Sequence, residues 1–373
     1  MTYLCPSCGH REPDDALVWC CPACQSHLNY ADGPILRRAD IVADERSLWR
    51  YEAALPIKRA DAVAYFGEGM TALIPGLRGA APFLLKIEYL LPSGSFKDRG
   101  SAVLVNALHQ LGVREVVEDS SGNAGASLAC YAARAGLDCE VYTPASTSPG
   151  KLAQIVAHGA RLVRVPGSRD DTARAVQERA AQRFYASHNW QPLFVEGMKT
   201  LAFELWEQLR FRAPDAVVAP VGLGSALLGM FHGFSLLRQA GEIDRLPRLY
   251  ACQASVCAPI HAAFQAGLDD IPAVACGRSI AEGVATSRPI RRREILAALR
   301  ESGGGTAAAD DDQIRAAQHA LAAEGLYVEA TAALALAGAI VLLDAGTLRA
   351  GETNVVLLCG SGLKQGASAA TTT

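Results

Sequence analysis

One lysine stands where it could do covalent chemistry. In Pro92-Ser93-Gly94-Ser95-Phe96-Lys97-Asp98-Arg99-Gly100, a small glycine-bearing turn delivers Lys97 to the start of a helical pattern. Leu104, Ala107, Leu108 and Leu111 fall at i, i+3, i+4 and i+7, and Gly112 stops the run. Near a helix N-terminus, partial burial, the positive end of the dipole and the neighbouring Arg99 all disfavour an ammonium and free the amine. An imine-forming lysine needs that condition. The plainer alternative is a surface lysine that opens a helix, so other motifs must decide.

Two more stretches have the composition of binding turns. Ser120-Ser121-Gly122-Asn123-Ala124-Gly125 follows a short strand pattern and precedes a small-residue helix closed by Gly136. Gly222-Leu223-Gly224-Ser225-Ala226 follows the apolar run Ala216-Val217-Val218-Ala219-Pro220-Val221 and precedes an apolar helix. A strand, a glycine turn and a helix N-terminus make a cradle of backbone amides for an anion. No lysine follows these glycines as in a Walker loop, and the third glycine of a dinucleotide fingerprint is misplaced. A tight strand-to-helix turn is the alternative.

A fourth cluster is of another kind. Cys5-Pro6-Ser7-Cys8 and Cys21-Pro22-Ala23-Cys24 are two C-x-x-C knuckles twelve residues apart. Four thiolates close a tetrahedron around zinc and leave no open position, which predicts a structural site held by Cys5, Cys8, Cys21 and Cys24. A redox pair, or a ribbon that has lost its metal, are the other readings. Cys20 adjoins a ligand without being one.

The elements that must position these residues alternate. Strand patterns at 83–88, 115–117, 139–143 and 162–165 are interleaved with helical ones at 97–111, 126–135, 149–158 and 170–183, with Ser148-Pro149 as N-cap and first helical position. That order predicts a parallel sheet covered on both faces, with ligands at the carboxyl ends of strands. A second α/β region begins near Glu196, with a helix at 198–210, strands at 216–221 and 354–359, and helices at 290–300, 312–323 and from 329 onward. Residues 31–62 read as mixed helix and loop, and Thr371 to Thr373 as a frayed end.

With 373 residues, half of them hydrophobic, the chain can bury two domains. A net charge of −3 gives no electrostatic case for nucleic acid or an anionic membrane. The longest apolar run, about Ala332 to Leu343, is short for a bilayer, and Met1-Thr2-Tyr3-Leu4-Cys5 does not open a signal peptide. The expectation is a cytoplasmic protein whose eleven cysteines, the knuckles apart, are reduced thiols.

Taken together, the motifs resemble the threonine-synthase branch of the pyridoxal-phosphate enzymes with the tryptophan-synthase-β (type II) fold. The resemblance covers nearly the whole chain. It rests on residues 92–100, Ser121-Gly122-Asn123, Glu196-Gly197-Met198-Lys199-Thr200, residues 222–226 and Cys359-Gly360-Ser361-Gly362-Leu363-Lys364. It implies a zinc ribbon at 1–30, a large cofactor-binding α/β domain from 31–95 and 190–373, and a smaller α/β domain at 96–189. It implies that Lys97 holds pyridoxal 5'-phosphate as an imine and is the base that moves the substrate's α-proton. Asn123 would bond the ring's phenolic oxygen, and Gly222, Leu223, Gly224, Ser225 and Ala226 would bind its phosphate. Cys359 would face the pyridine nitrogen, where threonine synthases carry Thr. Ser120, Ser121, Gly122 and Asn123 would receive a substrate carboxylate. A homodimer acting on a small amino acid is the implied assembly.

The chain also departs from that family. Before Glu-Gly-x-Lys-Thr, threonine synthases read Asn-Ser-x-Asn-Pro-x-Arg, polar groups that help hold the substrate's phosphate. Here the segment is His188-Asn189-Trp190-Gln191-Pro192-Leu193-Phe194, with a phenyl ring at the arginine position. A phosphate dianion needs a fork of donors, and a phenyl ring has none. Unless Lys151, Arg169 or His188 replaces the charge, the expected reaction is elimination or replacement on a small amino acid without phosphate, of the serine/threonine ammonia-lyase type. The alternative is threonine synthase acting on O-phosphohomoserine. On either reading the purified protein is yellow. Borohydride reduction followed by mass spectrometry is expected to place the adduct on Lys97, and an adduct on Lys86 or Lys199 would refute the assignment.

Overall fold

A computed structural model describes residues 2–31, 33–76, 83–147, 149–272 and 274–364. The expected N-cap Ser148, the side chain of Lys151 and the tail with Thr371 to Thr373 lie outside the described residues. The chain forms two compact units, residues 1–69 with 97–200 and residues 70–96 with 201–373.

The first unit opens with a three-stranded antiparallel sheet in which Thr2–Leu4 lies between Arg11–Pro13 and Asn29–Ala31. Tyr3, Cys5, Cys21 and Leu28 form its small core. A four-stranded parallel sheet follows, in the order Arg161–Val165, Asp138–Pro144, Glu115–Glu118, Phe184–Tyr185. Helices Lys97–Gln110, Asn123–Ala135, Pro149–Ala157, Arg169–Arg179 and Pro192–Met198 complete this unit. Gly136 adopts a left-handed φ of 68° and caps the Asn123–Ala135 helix, as its sequence position required.

Residues 31–69 and 190–200, which the sequence assigns to the large domain, belong to this first unit. The reason is side-chain bonding at long range. Asn106 bonds Ala64 through both the N–H and the carbonyl of that residue, and the buried 3-10 stretch Leu48–Ala54 is tied in by Lys199 donating to the Ala54 carbonyl at 3.2 Å.

The second unit is a six-stranded sheet in the order Gly305–Ala309, Arg248–Ala254, Ala216–Pro220, Asn354–Leu358, Phe83–Ile87, Leu73–Pro75. Five strands are parallel and the Leu73–Pro75 edge is antiparallel. The sequence reads as helix-rich beyond 226 and does not mark Arg248–Ala254 or Gly305–Ala309 as strands. The second of these, Gly-Thr-Ala-Ala-Ala, has little intrinsic strand character and is extended because it pairs. Thr200–Gln208, Ser225–Gln239, Arg292–Glu301, Asp311–Ala323 and Ala330–Asp344 are its longer helices. No described helix is long and apolar enough to cross a membrane. The expectation of reduced thiols outside the knuckles fails at one pair, since Cys257 and Cys276 are disulfide-bonded.

A charged cluster sits inside the second unit. Lys86, in the middle of strand Phe83–Ile87, is fully buried and paired with Glu204. It also donates to the Thr71 carbonyl at 2.8 Å and to Gln208 Oε1 at 2.9 Å. Glu204 in turn accepts the backbone N–H groups of Met70 and Thr71. Removing one member leaves a buried charge uncompensated, so Lys86→Met is expected to destabilise the protein by about 3–5 kcal/mol in urea unfolding. Adding Glu204→Gln should restore part of that loss, and a Lys86→Met variant as stable as wild type would show that the pair does not hold this unit together.

Candidate active site

The first turn of the Lys97–Gln110 helix is held from every side. Asp98 Oδ1 accepts from Ser127 Oγ at 2.6 Å, and Ser127 also bonds Ser101 at 2.8 Å. Arg99, wholly buried, donates to Thr200 Oγ1 at 3.2 Å. A Cβ on Gly100 would lie 2.6 Å from three carbons of the Phe194 ring, and a Cβ on Gly197 would collide with the Arg99 carbonyl. Helix Pro192–Met198 therefore lies directly on this turn, and only glycine permits that approach. Lys97 itself is half-buried, with its Nζ 5.6 Å from the centre of the Phe194 ring.

Lys86 and Lys199, the two lysines weighed against Lys97, are engaged in ion pairs. Lys86 pairs with Glu204, and Lys199 pairs with Glu196 at 2.5 Å while donating to the Ala54 carbonyl at 3.2 Å.

Ser120, Ser121, Gly122 and Asn123 follow the carboxyl end of strand Glu115–Glu118. Asn123 is the first residue of the Asn123–Ala135 helix, and Ser120 Oγ accepts the Gly122 N–H at 3.3 Å. A Cβ on Gly125 would collide with the Ser120 carbonyl, so the serine turn folds tightly over the helix start.

In the second unit, three neighbouring parallel strands deliver the other expected residues at their carboxyl ends. Ala216–Pro220 leads into Gly222, Asn354–Leu358 into Cys359, and Phe83–Ile87 into the segment that reaches Phe96. Gly224 has φ +83° and immediately precedes the Ser225–Gln239 helix. A Cβ on Gly222 would lie 2.8 Å from Val284 Cα, and one on Gly224 would collide with Ile295. The loop is thus glycine-lined where the chain crowds it, with its amides at a helix N-terminus. Phe96 N–H donates to the Cys359 carbonyl at 3.0 Å, and Ser95 forms an antiparallel bridge with Gly360. The residue before Lys97 is in this way fixed to the cysteine strand. Glu329, which reads in the sequence only as a helix opener, places Oε1 3.8 Å from Cys359 Sγ, and its N–H bonds the Gly360 carbonyl.

A further group of residues adjoins Lys97 in the first unit. Phe194 is 1% exposed, and the His188 ring meets it edge-on at 5.9 Å. His188 Nδ1 lies 2.8 Å from Glu118 Oε1, and the His188 backbone N–H donates to Glu118 Oε2 at 3.3 Å. Arg169 pairs with Asp119 at 2.7 Å. Glu118 carries no mark in the sequence, where the expected strand stops at Val117; in the structure it is the last residue of that strand.

Comparison with known proteins gives the family. Residues 65–360 match the family described as pyridoxal-phosphate dependent enzyme. The chain belongs to this family. It is 34% identical to a threonine synthase of Methanocaldococcus jannaschii over 98% of this chain and 93% of that protein. Among solved structures, a threonine deaminase from T.th. is 28% identical, with a TM-score of 0.63 over 75% of this chain and 87% of that one. An L-serine ammonia-lyase from Rhizomucor miehei, at 23% identity and TM-score 0.66 over 78% and 93%, shares the fold. The α/β architecture is that of the type II pyridoxal-phosphate enzymes.

This pyridoxal-phosphate enzyme also carries the predicted thiol cluster. The sulfurs of Cys5, Cys8, Cys21 and Cys24 all lie within 4.8 Å of one another, with Cys5–Cys24 at 3.4 Å and Cys8–Cys21 at 3.7 Å. The two knuckles repeat one backbone pattern: Gly9 N–H bonds the Cys5 carbonyl, and Gln25 N–H bonds the Cys21 carbonyl. Cys20 stands outside the cluster. The segment that carries the cysteines is not remote from His188, because Trp19 stacks edge-on against both Tyr185 and Trp190 at 5.2 Å.

Proposed function

We propose that the protein is a pyridoxal-phosphate-dependent ammonia-lyase acting on a small hydroxy-amino acid such as serine or threonine. The observation that carries this reading is Phe194, a buried ring packed on Gly100 beside Lys97 where a phosphate-binding arginine would otherwise stand. Two of the side chains that could replace its charge, Arg169 and His188, support the same reading. Arg169 is paired with Asp119, and burial, with the charges of Lys97 and Arg169, holds the pKa of His188 well below the ordinary imidazole range. A phosphate dianion would meet a neutral ring and a neutralised guanidinium.

The residues present fit the cofactor. A glycine-lined helix N-terminus suits a phosphate ester, and amides of Gly222, Leu223, Gly224, Ser225 and Ala226 would hold it. Lys97 would bind the carbonyl carbon covalently, Asn123 would bond the ring oxygen, and Cys359 would face the ring nitrogen. When bound, the cofactor supplies an electron sink for the pair left at the substrate's α-carbon. Lys97, its place on that carbonyl carbon taken by the substrate's amine, would then be the base beside the α-carbon. Ser120, Ser121, Gly122 and Asn123 would orient the substrate's carboxylate. Cys359, a thiol beside the Glu329 carboxylate, cannot stabilise a full positive charge on the ring nitrogen as a directly bonded carboxylate would. That tempers charge build-up and suits loss of a β-substituent.

A second reading, threonine synthase acting on O-phosphohomoserine, is favoured by the 34% identity that runs along 98% of the chain. A side-by-side assay separates the two: keto-acid release from L-serine and L-threonine against threonine and phosphate release from O-phosphohomoserine. A missing charge-assisted contact costs about 2–5 kcal/mol, so kcat/KM on O-phosphohomoserine is expected about 30-fold or more below that on the hydroxy-amino acid. Efficient phosphate release would refute the lyase reading.

The ribbon fits one structural zinc. A tetrahedron with Zn–S of about 2.3 Å has edges of about 3.8 Å, close to the sulfur separations observed. Metal analysis is expected to give about one zinc per chain, and Cys8→Ser to lose it together with thermal stability. Selective loss of catalysis at unchanged stability would contradict the structural role.

A further inference from the structure

We propose that Glu118 and His188 form a buried pair whose Nε2–H donates a proton to the substrate's leaving oxygen, a role that rests on the hydroxy-amino-acid reading above. Both carboxylate oxygens of Glu118 face His188, one at the ring Nδ1 and one at the backbone N–H. The pair is enclosed, with side chains 1% and 8% exposed. The other ring nitrogen, Nε2, is engaged by none of the described side chains. The imidazole stands against Phe194, and the same phenyl ring lies 5.6 Å from the Lys97 amine that would meet the substrate.

Charge balance decides which nitrogen carries the proton. The groups around the pair are Asp119, Arg169, Lys97 and Tyr185. Arg169 compensates Asp119, and Lys97 acting as the base is a neutral amine, so an ionised Glu118 beside a neutral imidazole would leave an uncompensated negative charge in an enclosed place. One more proton makes the pair neutral. Burial, with the Asp119 charge, pushes the Glu118 carboxyl well above its usual range, in the same direction. The protonated carboxyl then donates to Nδ1, and the ring's own proton sits on Nε2.

The step balances without an added reagent. Lys97 takes the α-proton, and that bond's electron pair becomes the α,β double bond. The carbon–oxygen pair leaves with the oxygen, which takes the Nε2 proton and departs as water. The Glu118 carboxyl proton moves to Nδ1, so the imidazole stays neutral and Glu118 becomes the carboxylate. The proton held by Lys97 restores the pair, and the substrate has lost H and OH as one water.

Two measurements on the holoenzyme test this. In 15N-histidine-labelled protein, with the His188 signal assigned by its loss in His188→Gln, Nε2 should be protonated and Nδ1 an acceptor between about pH 6 and 8. A proton on Nδ1 with a bare Nε2, or conversion to imidazolium in that range, overturns the proposal. In kinetics, His188→Phe should lower kcat/KM on L-serine by about 10²–10³-fold and leave β-chloro-L-alanine, whose chloride needs no proton, within about threefold. His188→Gln, which keeps a donor, should retain part of the serine activity. Equal losses on both substrates, or unchanged serine turnover, overturn the role of His188. A wild type that turns over O-phosphohomoserine and neither of these substrates overturns the parent reading instead, and is recognised without any variant.

Discussion

The arrangement depends on the contact between the first turn of the Lys97 helix and the helix Pro192–Met198. Gly100 and Gly197 bring two backbones together: Phe194 fills the space a side chain on Gly100 would take, and the Arg99 carbonyl fills that beside Gly197. Asp98 and Arg99 are drawn inside by Ser127 and Thr200, so that three successive residues after Lys97 are buried and the lysine can move little except about its own side-chain bonds. A reacting amine gains from such restraint, because orientation set by packing is not lost again when substrate arrives. The same ring that locks the turn also lies beside the amine and gives it an apolar neighbour.

The second unit solves a different problem, that of holding backbone amides and a thiol at the ends of parallel strands. Its sheet places Gly222, Cys359 and the segment leading to Phe96 on adjacent strands. A bridge between Ser95 and Gly360 then fixes the chain just before Lys97. Behind these ends, Lys86 and Glu204 occupy the interior as a compensated pair that also satisfies the backbone of residues 70 and 71. Charge is tolerated there because every partner is present, as it is in the Arg169–Asp119 pair of the first unit.

Much of this was legible in the chain. The cysteine knuckles, the Lys97 turn, the serine turn and the glycine loop are local patterns, each carried by residues a few positions apart, and short-range geometry determines what such patterns build. The strand and helix alternation through residue 183 likewise follows from periodicity, and Gly136 and Gly224 occupy left-handed positions that glycine adopts without strain.

What only the tertiary structure decided are the pairings between distant positions. Glu118 and His188 are 70 residues apart, Lys86 and Glu204 are 118 apart, and neither pair leaves a periodic mark in the sequence. The strand Gly305–Ala309 is extended through its neighbour and not through its own propensity. The Cys257–Cys276 bond, and the membership of residues 31–69 in the first unit, likewise depend on where the folded chain brings its segments together. Residue type and spacing encode what a segment can form by itself. Which buried charge meets which partner is a property of the packed interior, where the cost of an uncompensated group selects the arrangement.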